Sequence, residues 1–101
     1  MIKIRTGSTV QLVMVLKYED DTPIDLTEVE KITMYLKDVS TGEEVYSGDC
    51  LIISATEGII LHTWTDTSSL SGVYEREFKL EYSNGKVDYI PSESIEYIMF
   101  W

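Results

Sequence analysis

A single histidine and a single cysteine are the residues with the most chemistry to offer. His62 and Cys50 are each the only residue of their type in the chain. A nucleophilic site would need His62 as its base, and a zinc site would need three or four suitable ligands around it. His62 shares an alternating row with Ile60 and Trp64, which favours a packed or partly exposed structural histidine over a functional one. The sequence shows no nucleophile elbow, phosphate-binding glycine loop or dinucleotide fingerprint, so we predict no enzymatic activity, no cofactor and no metal.

Four carboxylates lie close together after the first long apolar run, namely Glu19, Asp20, Asp21 and Asp25. Oxygen ligands of this kind suit calcium, but their spacing matches no EF-hand loop. Aspartate also serves turns well, because its side chain bonds nearby backbone amides. Solvated turn carboxylates are therefore the preferred interpretation, and cation binding between residues 19 and 25 is the alternative.

Charge and composition exclude several classes of partner. The 101 residues include 18 acidic and 8 basic side chains, which gives a formal net charge of −10. Such a chain has no basic stripe with which to bind nucleic acid or an anionic membrane. The lone cysteine cannot form an internal disulfide, which suits a reducing cytosol. No apolar run reaches the roughly 20 residues of a membrane helix, and Gln11 interrupts the run from Val10 to Leu16, so a first strand is predicted there rather than a secretion signal.

The clearest structural pattern runs from residue 72 to residue 87. One alternating row is apolar and the other is charged, which predicts a half-buried antiparallel strand. Asn84 and Gly85 then predict a two-residue hairpin turn, because both tolerate positive φ. Arg76 falls on the apolar row, so it is expected either to pair with a carboxylate or to reach the rim through its aliphatic stem. The apolar row is Tyr74, Phe78, Leu80 and Tyr82, and the charged row includes Glu75, Glu77 and Glu81.

Short strands separated by turn signals fill the rest of the chain, with at most single helical turns at residues 27–30 and 66–71. The strand at residues 9–18 carries Val13 and Val15 on its second row, which predicts a central place in a sheet. About seven to nine strands in one domain, residues 1–101, indicate an all-β sandwich or barrel. Further strands are predicted at residues 32–36, 45–46, 50–54 and 59–65.

Residues 66–74 resemble the tyrosine corner of immunoglobulin-like domains. In Asp66-x5-Gly72-x-Tyr74 a loop leads through glycine to a tyrosine whose hydroxyl, in that motif, bonds backbone upstream. An antibody domain would place a cysteine where this chain has Arg76. The resemblance therefore predicts the general sandwich fold without the disulfide between its sheets. The fold prediction is an immunoglobulin-like antiparallel β-sandwich, with Trp64 among its structural residues.

A second resemblance covers nearly the whole chain and rests on the order and spacing of several short motifs. The motifs are a strand start at Thr9-Val10, then Asp21-Thr22-Pro23-Ile24-Asp25-Leu26-Thr27, Leu36-Lys37-Asp38, Gly58, Trp64, Gly72-x-Tyr74-x-x-Glu77-Phe78, Asn84-Gly85-Lys86-Val87 and Pro91-Ser92. The chain is similar to the N-terminal domain family of phage baseplate upper proteins. This resemblance implies a virion structural protein, acting as an assembly or docking module in the tail or baseplate, with other virion proteins as partners.

Other functions stay open beside this one. A capsid-surface or head–tail connector accessory protein fits the same resemblance. A carbohydrate-binding module is an alternative of a different class, because sugars stack on exposed aromatic rings. Core packing accounts for most of the aromatic residues. For Tyr46, Tyr89 and Tyr97 the alternating pattern does not decide whether the ring points into the core or into solvent.

The C-terminal residues 95–101 are apolar on both rows of a predicted strand. The row of Ile95, Tyr97, Met99 and Trp101 is expected to fill the core. The other row then has to be covered, either by the N-terminal strand or by a neighbouring subunit, including a second copy. The second alternative predicts an interface made by Ile2, Ile4, Ile98, Phe100 and Trp101.

Overall fold

Eight strands form the described part of the chain, and the fold is all-β. The structure is a computed structural model that describes residues 2–18, 20–91 and 96–101, with the side chain of Glu96 left out. No helix occurs in these residues. The strands are β1 Ile2–Ile4, β2 Val10–Val15, β3 Val29–Asp38, β4 Glu44–Ser54, β5 Ile59–Trp64, β6 Gly72–Tyr82, β7 Val87–Ile90 and β8 Glu96–Phe100.

The strands pair in the order β1-β8-β6-β3-β4-β5-β2, with β7 also paired to β6. The sheet is mixed, since β1 and β8 are parallel while the other pairs are antiparallel, and it curls until it is nearly barrel-shaped. Strand β4 belongs to two regions, because residues 44–50 pair with β3 and residues 51–54 pair with β5. We call β1, β8, β6, β7, β3 and the first part of β4 the large sheet, and β2, β5 and the end of β4 the small sheet.

The core lies between the inward rows of the two sheets. Trp64 of the small sheet meets Phe100 of the large sheet edge-to-face at 5.8 Å between ring centroids, and Phe100 meets Tyr74 in the same way at 5.9 Å. Such contacts join the sheets through area burial and favourable ring geometry. The apolar core residues are Ile4, Met14, Leu16, Ile24, Leu26, Val29, Ile32, Met34, Leu36, Ile60, Trp64, Leu70, Tyr74, Phe78, Leu80, Ile98 and Phe100.

Two strand predictions were wrong. Residues 45–46 and 50–54 belong to one strand, β4, whose passage from one sheet to the other runs through the polar stretch between them. Strand β2 lies at the end of the strand order rather than at its centre, with Val13 62% exposed and Val15 45% exposed. Two apolar rows predict burial on both faces of a strand, but Val13 and Val15 on the outer face of β2 are exposed to solvent.

The hairpin between β6 and β7 is present with a longer loop than predicted. Tyr82 N–H donates to the Lys86 carbonyl at 2.9 Å, and Gly85 N–H donates to the Tyr82 carbonyl at 3.0 Å. The loop therefore has three residues, 83–85. Gly85 has a φ of +88°, whereas Asn84 does not enter the positive-φ region, so the prediction of a two-residue turn was wrong. A three-residue loop with glycine at its last position is the next most common hairpin connection.

The two faces of β8 are the reverse of those predicted. Tyr74 lies opposite Ile98 and Gly72 lies opposite Phe100 in the β6–β8 register. Residues opposite each other point to the same face, so Ile98 and Phe100 join Tyr74 in the core while Tyr97 and Trp101 face outward. Strand β1 pairs along the edge of β8, as the intramolecular alternative expects. Ile95 lies outside the described residues.

Candidate functional site

His62 stands in a buried polar cluster built by β4 and β5. Its Nε2 lies 2.7 Å from the Tyr46 hydroxyl, and its Nδ1 lies 3.1 Å from the Asp49 carbonyl oxygen. A carbonyl can only accept, so Nδ1 carries the proton and Nε2 accepts from Tyr46. The imidazole is 1% exposed and packs edge-to-face on Trp64 at 4.5 Å. Each ring nitrogen therefore has a partner inside the fold.

Burial controls the ionisation of this cluster. Desolvation lowers the pKa of His62, although the Asp49 carbonyl and carboxylate oppose that change. Burial also raises the pKa of the Cys50 thiol to about 12, so the thiol stays protonated near neutral pH. Cys50 Sγ lies 3.6 Å from His62 Nδ1, but a neutral imidazole and a protonated thiol form no activated nucleophile. The cluster is a structural one, in agreement with the interpretation of His62 from the sequence.

The acidic segment around residues 19–25 forms turns. Asp20 accepts from Thr22 N–H at 3.1 Å, and Asp25 accepts from Thr27 N–H at 2.9 Å and from the Thr27 hydroxyl. These bonds hold the pKa of each aspartate below its ordinary value. Within the described ranges no three carboxylate, histidine or cysteine side chains are grouped to hold a metal ion. Glu19 lies outside the described residues.

Tyr74 and Arg76 occupy the inward row of β6, and each has a defined place there. The Tyr74 hydroxyl donates to the Ser71 carbonyl at 2.9 Å and accepts from Ser71 N–H at 3.0 Å, which joins the strand to the loop before it. Arg76 is half-buried. Its guanidinium lies 3.4 Å from Met14 Sδ and 5.5 Å from the Phe78 ring centroid, beside a cleft of about 200 Å³. This partial burial fits an arginine that reaches the rim through its stem, and pairing with a carboxylate stays a prediction.

Three of the five residues predicted to form an interface are core residues. Ile4, Ile98 and Phe100 are each at most 7% exposed, so they cannot meet a neighbouring subunit while the chain is folded. Ile2 is half-buried against the same core. Trp101 is exposed, with the Arg5 guanidinium 5.4 Å from its ring centroid. Of the five predicted residues, Trp101 is the one that is largely exposed.

The outer face of the small sheet is the largest feature that the sequence did not predict. Val13, Leu61 and Leu51 lie side by side across β2, β5 and β4 in register. None of the outward positions of these strands carries a charge, in a chain of which 26% is charged. We call this surface the uncharged face. It consists of Gln11, Val13, Val15, Leu51, Ile53, Ile59, Leu61 and Thr63.

Exposure along the uncharged face is high for apolar side chains. Leu51 is 62% exposed and Ile53 is 53% exposed, beside the two exposed valines of β2. Ile53 stands at a bulge between β4 and β5, which turns it out of the ladder. The second apolar row of β2 was the available signal, but the pattern alone could not distinguish a strand buried on both faces from one with an exposed apolar face.

The outer face of the large sheet is different in character. Lys37 pairs with Glu77 at 3.5 Å across β3 and β6, and Lys79 pairs with Glu81 at 3.3 Å along β6. Lys31 lies 3.9 Å from Asp49. The ion-paired centre of this face stays hydrated, because removing those groups from water is costly. Its β8 side is apolar, with Val73, Tyr97 and Trp101 exposed. The uncharged face is therefore easier to bury than the ion-paired centre of the large sheet.

The three tyrosines considered for sugar stacking separate in the structure. Tyr46 is half-buried with its hydroxyl on His62, so its ring belongs to the buried cluster. Tyr89 on β7 and Tyr97 on β8 are exposed. The sugar-binding alternative therefore depends on Tyr89 and Tyr97.

No family model, curated protein or solved structure matches this chain. Within the described residues there is no helix long and apolar enough to cross a membrane. The case for a function therefore depends on the geometry described above and on the motif order of the sequence.

Proposed function

We propose that this chain is a virion structural protein that docks within a phage particle through the uncharged face. The observation that carries the docking role is the contrast between two outer faces, one with ion pairs along β3 and β6 and the other without any charge. Charged residues are depleted at the centres of protein interfaces. Contiguous apolar patches of a few hundred Å² on a soluble chain commonly mark interaction sites.

The finer fold that we propose is an immunoglobulin-like sandwich. Its two layers would be β1-β8-β6-β3 with the first part of β4, and β2-β5 with the end of β4. Two observations support it. Strand β4 changes sheets along its length, and the Tyr74 hydroxyl binds the Ser71 backbone as a corner tyrosine does. Sandwich domains serve as rigid scaffolds, so a binding face on a sheet is well positioned for docking.

The placement in a virion rests on the resemblance of the motif order to that of the baseplate upper protein family. We place the chain in the tail or baseplate, with a capsid-surface or head–tail connector position as the alternative. The net charge of −10 is consistent with protein partners, because it opposes binding to packaged nucleic acid. A docking role also needs no catalytic residue or cofactor.

The test is incorporation into purified phage particles, measured by mass spectrometry. We expect the wild-type chain to be present, and Leu51→Lys to be folded in isolation but absent from particles. An unpaired lysine on the uncharged face would have to be buried on docking. Val87→Lys is the matched control, because it makes the same charge change at an exposed residue of β7, and it should incorporate normally. Absence of the wild-type chain from particles would refute the virion role, and incorporation of Leu51→Lys would refute the docking surface.

A further inference from the structure

We infer that the uncharged face binds a second copy of this chain, so that two small sheets pack against each other around a twofold axis. This inference rests on the proposed docking function and names the partner. Leu61 lies at the centre of the row Val13–Leu61–Leu51, with Ile59 and Thr63 on either side of it along β5. An axis through this point would bring the same apolar side chains of both copies together, as an isologous interface requires.

Charge favours a second copy over a charged partner. The uncharged face offers no ion pair with which to select a basic or acidic protein, whereas another copy presents an equal uncharged surface. Two chains that each carry −10 repel one another at long range. An approach through the outer face of the large sheet would bring the carboxylates of Glu75, Glu77 and Glu81 on β6 towards those of the other copy. An approach through the uncharged face keeps these groups far apart.

The apolar area of the uncharged face indicates how strongly two copies associate. Val13, Val15, Leu51 and Ile53 are exposed, and Ile59 and Leu61 beside them are half-buried. Together they present on the order of 400 Å² of apolar side-chain surface per copy, which is within the range of a functional patch. Two such faces with their polar rim bury about 1,000 Å² in total, at the lower limit for a specific interface. The geometry therefore points to a reversible dimer that forms at high local concentration, rather than an obligate one.

Sheet packing gives the dimer a definite geometry. Two sheets that pack face to face lie about 10 Å apart, with strand directions within about 30° of each other. The side chains on the uncharged face are valine, leucine or isoleucine, apart from Gln11 and Thr63. Such side chains interdigitate well between sheets. Gln11 and Thr63 are direct neighbours across β2 and β5, so they form one end of the contact, where their polar groups can remain hydrated.

Sedimentation velocity on the isolated protein, over micromolar to millimolar concentrations, tests this inference. We expect the wild-type sedimentation coefficient to rise with concentration towards that of a dimer. Val13→Lys and Leu51→Lys should weaken association by at least about tenfold, because each would bury an ammonium group without a partner. Both changes make the chain less negative, so a loss of association cannot come from stronger long-range repulsion. Val87→Lys makes the same charge change outside the uncharged face and should associate like the wild type.

Each outcome has a distinct meaning. A wild-type chain that stays monomeric, or lysine variants that associate as well as the wild type, would overturn the second copy as partner. Loss of association in Val87→Lys alone would place the contact on the large sheet and also overturn it. If the wild type is monomeric but Leu51→Lys still fails to enter particles, the docking function stands and its partner is another protein. If the wild type dimerises but is absent from particles, the dimer stands and the virion role fails.

Discussion

A buried neutral histidine makes the stability of this chain depend on pH. His62 takes up a proton near its ordinary pKa of 6.5 when the chain is unfolded, but desolvation lowers its pKa in the fold. The unfolded state therefore binds more protons as the pH falls below about 6.5, and the free energy of unfolding decreases until the folded-state pKa is passed. The aspartates that accept turn hydrogen bonds affect the free energy of unfolding in a different, more acidic pH range. Their pKa values lie below 3.8 in the fold, so their contribution is lost only at more acidic pH.

His62→Gln should lose less stability than the wild type between about pH 7 and about pH 5, because the variant cannot take up this proton on unfolding. Glutamine keeps a polar group near Tyr46. Urea unfolding at several pH values measures the difference, and Thr63→Gln, on the exposed side of β5, is the control that should keep the full pH dependence. Equal pH slopes for His62→Gln and Thr63→Gln would contradict the assignment.

Gly48 is the residue that makes room for the histidine cluster. A Cβ built at Gly48 would stand 2.7 Å from His62 Cε1 and 2.7 Å from the Tyr46 hydroxyl oxygen. Gly48→Ala should therefore lower the free energy of unfolding by about 1–3 kcal/mol, as other overpacking changes do. Ser47→Ala, at the exposed neighbouring position, should stay within about 0.5 kcal/mol of the wild type. Equal stability of the two variants in chemical denaturation would show that the cluster has more space than described.

At the scale of elements, the β6–β7 hairpin depends on one backbone conformation. Gly85 has a φ of +88°, a region that disfavours residues with a Cβ. We expect Gly85→Ala to cost about 1–2 kcal/mol and Gly85→Asn to cost less, because asparagine tolerates positive φ better. Denaturant unfolding of both variants provides the comparison. An alanine variant as stable as the asparagine variant would contradict a loop that requires the left-handed conformation.

Strand patterns predicted β6 well and β2 and β8 poorly, for a physical reason. In β6 one row is charged, so only the other row can enter the core, and Tyr74, Phe78 and Leu80 do so. In β2 and β8 both rows are apolar, and alternation then carries no information about which row is inside. Pairing decides it, since β8 follows the buried Tyr74 through its register with Ile98. The alternation of residues within β8 carries no information about its pairing with β6.

The candidate site shows the same limit. The packed role of His62 was predictable because its row also holds Ile60 and Trp64, which must be buried. Its hydrogen-bond partners were not predictable. Tyr46 and Asp49 come from β4, which the sequence pattern divides into two separate strands. The uncharged face needs the pairing of β2, β5 and β4 before its apolar residues become neighbours, so its existence follows from topology rather than from any one segment.

At the scale of the whole molecule, net charge sets how easily copies approach one another. Two chains of −10 repel, and added salt screens that repulsion over a Debye length of about 10 Å at 0.1 M. Self-association through an uncharged face should therefore strengthen as sodium chloride rises from low to moderate concentration, in contrast to a contact held by ion pairs. Sedimentation at a fixed protein concentration across a salt series measures this. Weaker association at higher salt would indicate that ion pairs hold the contact.

Side-chain footprinting tests the uncharged face as the binding surface most directly. Hydroxyl-radical oxidation would be compared between the isolated chain at high dilution and the same chain in purified phage particles. We predict that oxidation of Val13, Leu51 and Ile53 falls in the particles, while that of Tyr89 on β7 is unchanged. Undiminished oxidation of Leu51 and Ile53, with protection only at Tyr97 and Trp101, would contradict this account and return the interface to the C-terminal end of the large sheet.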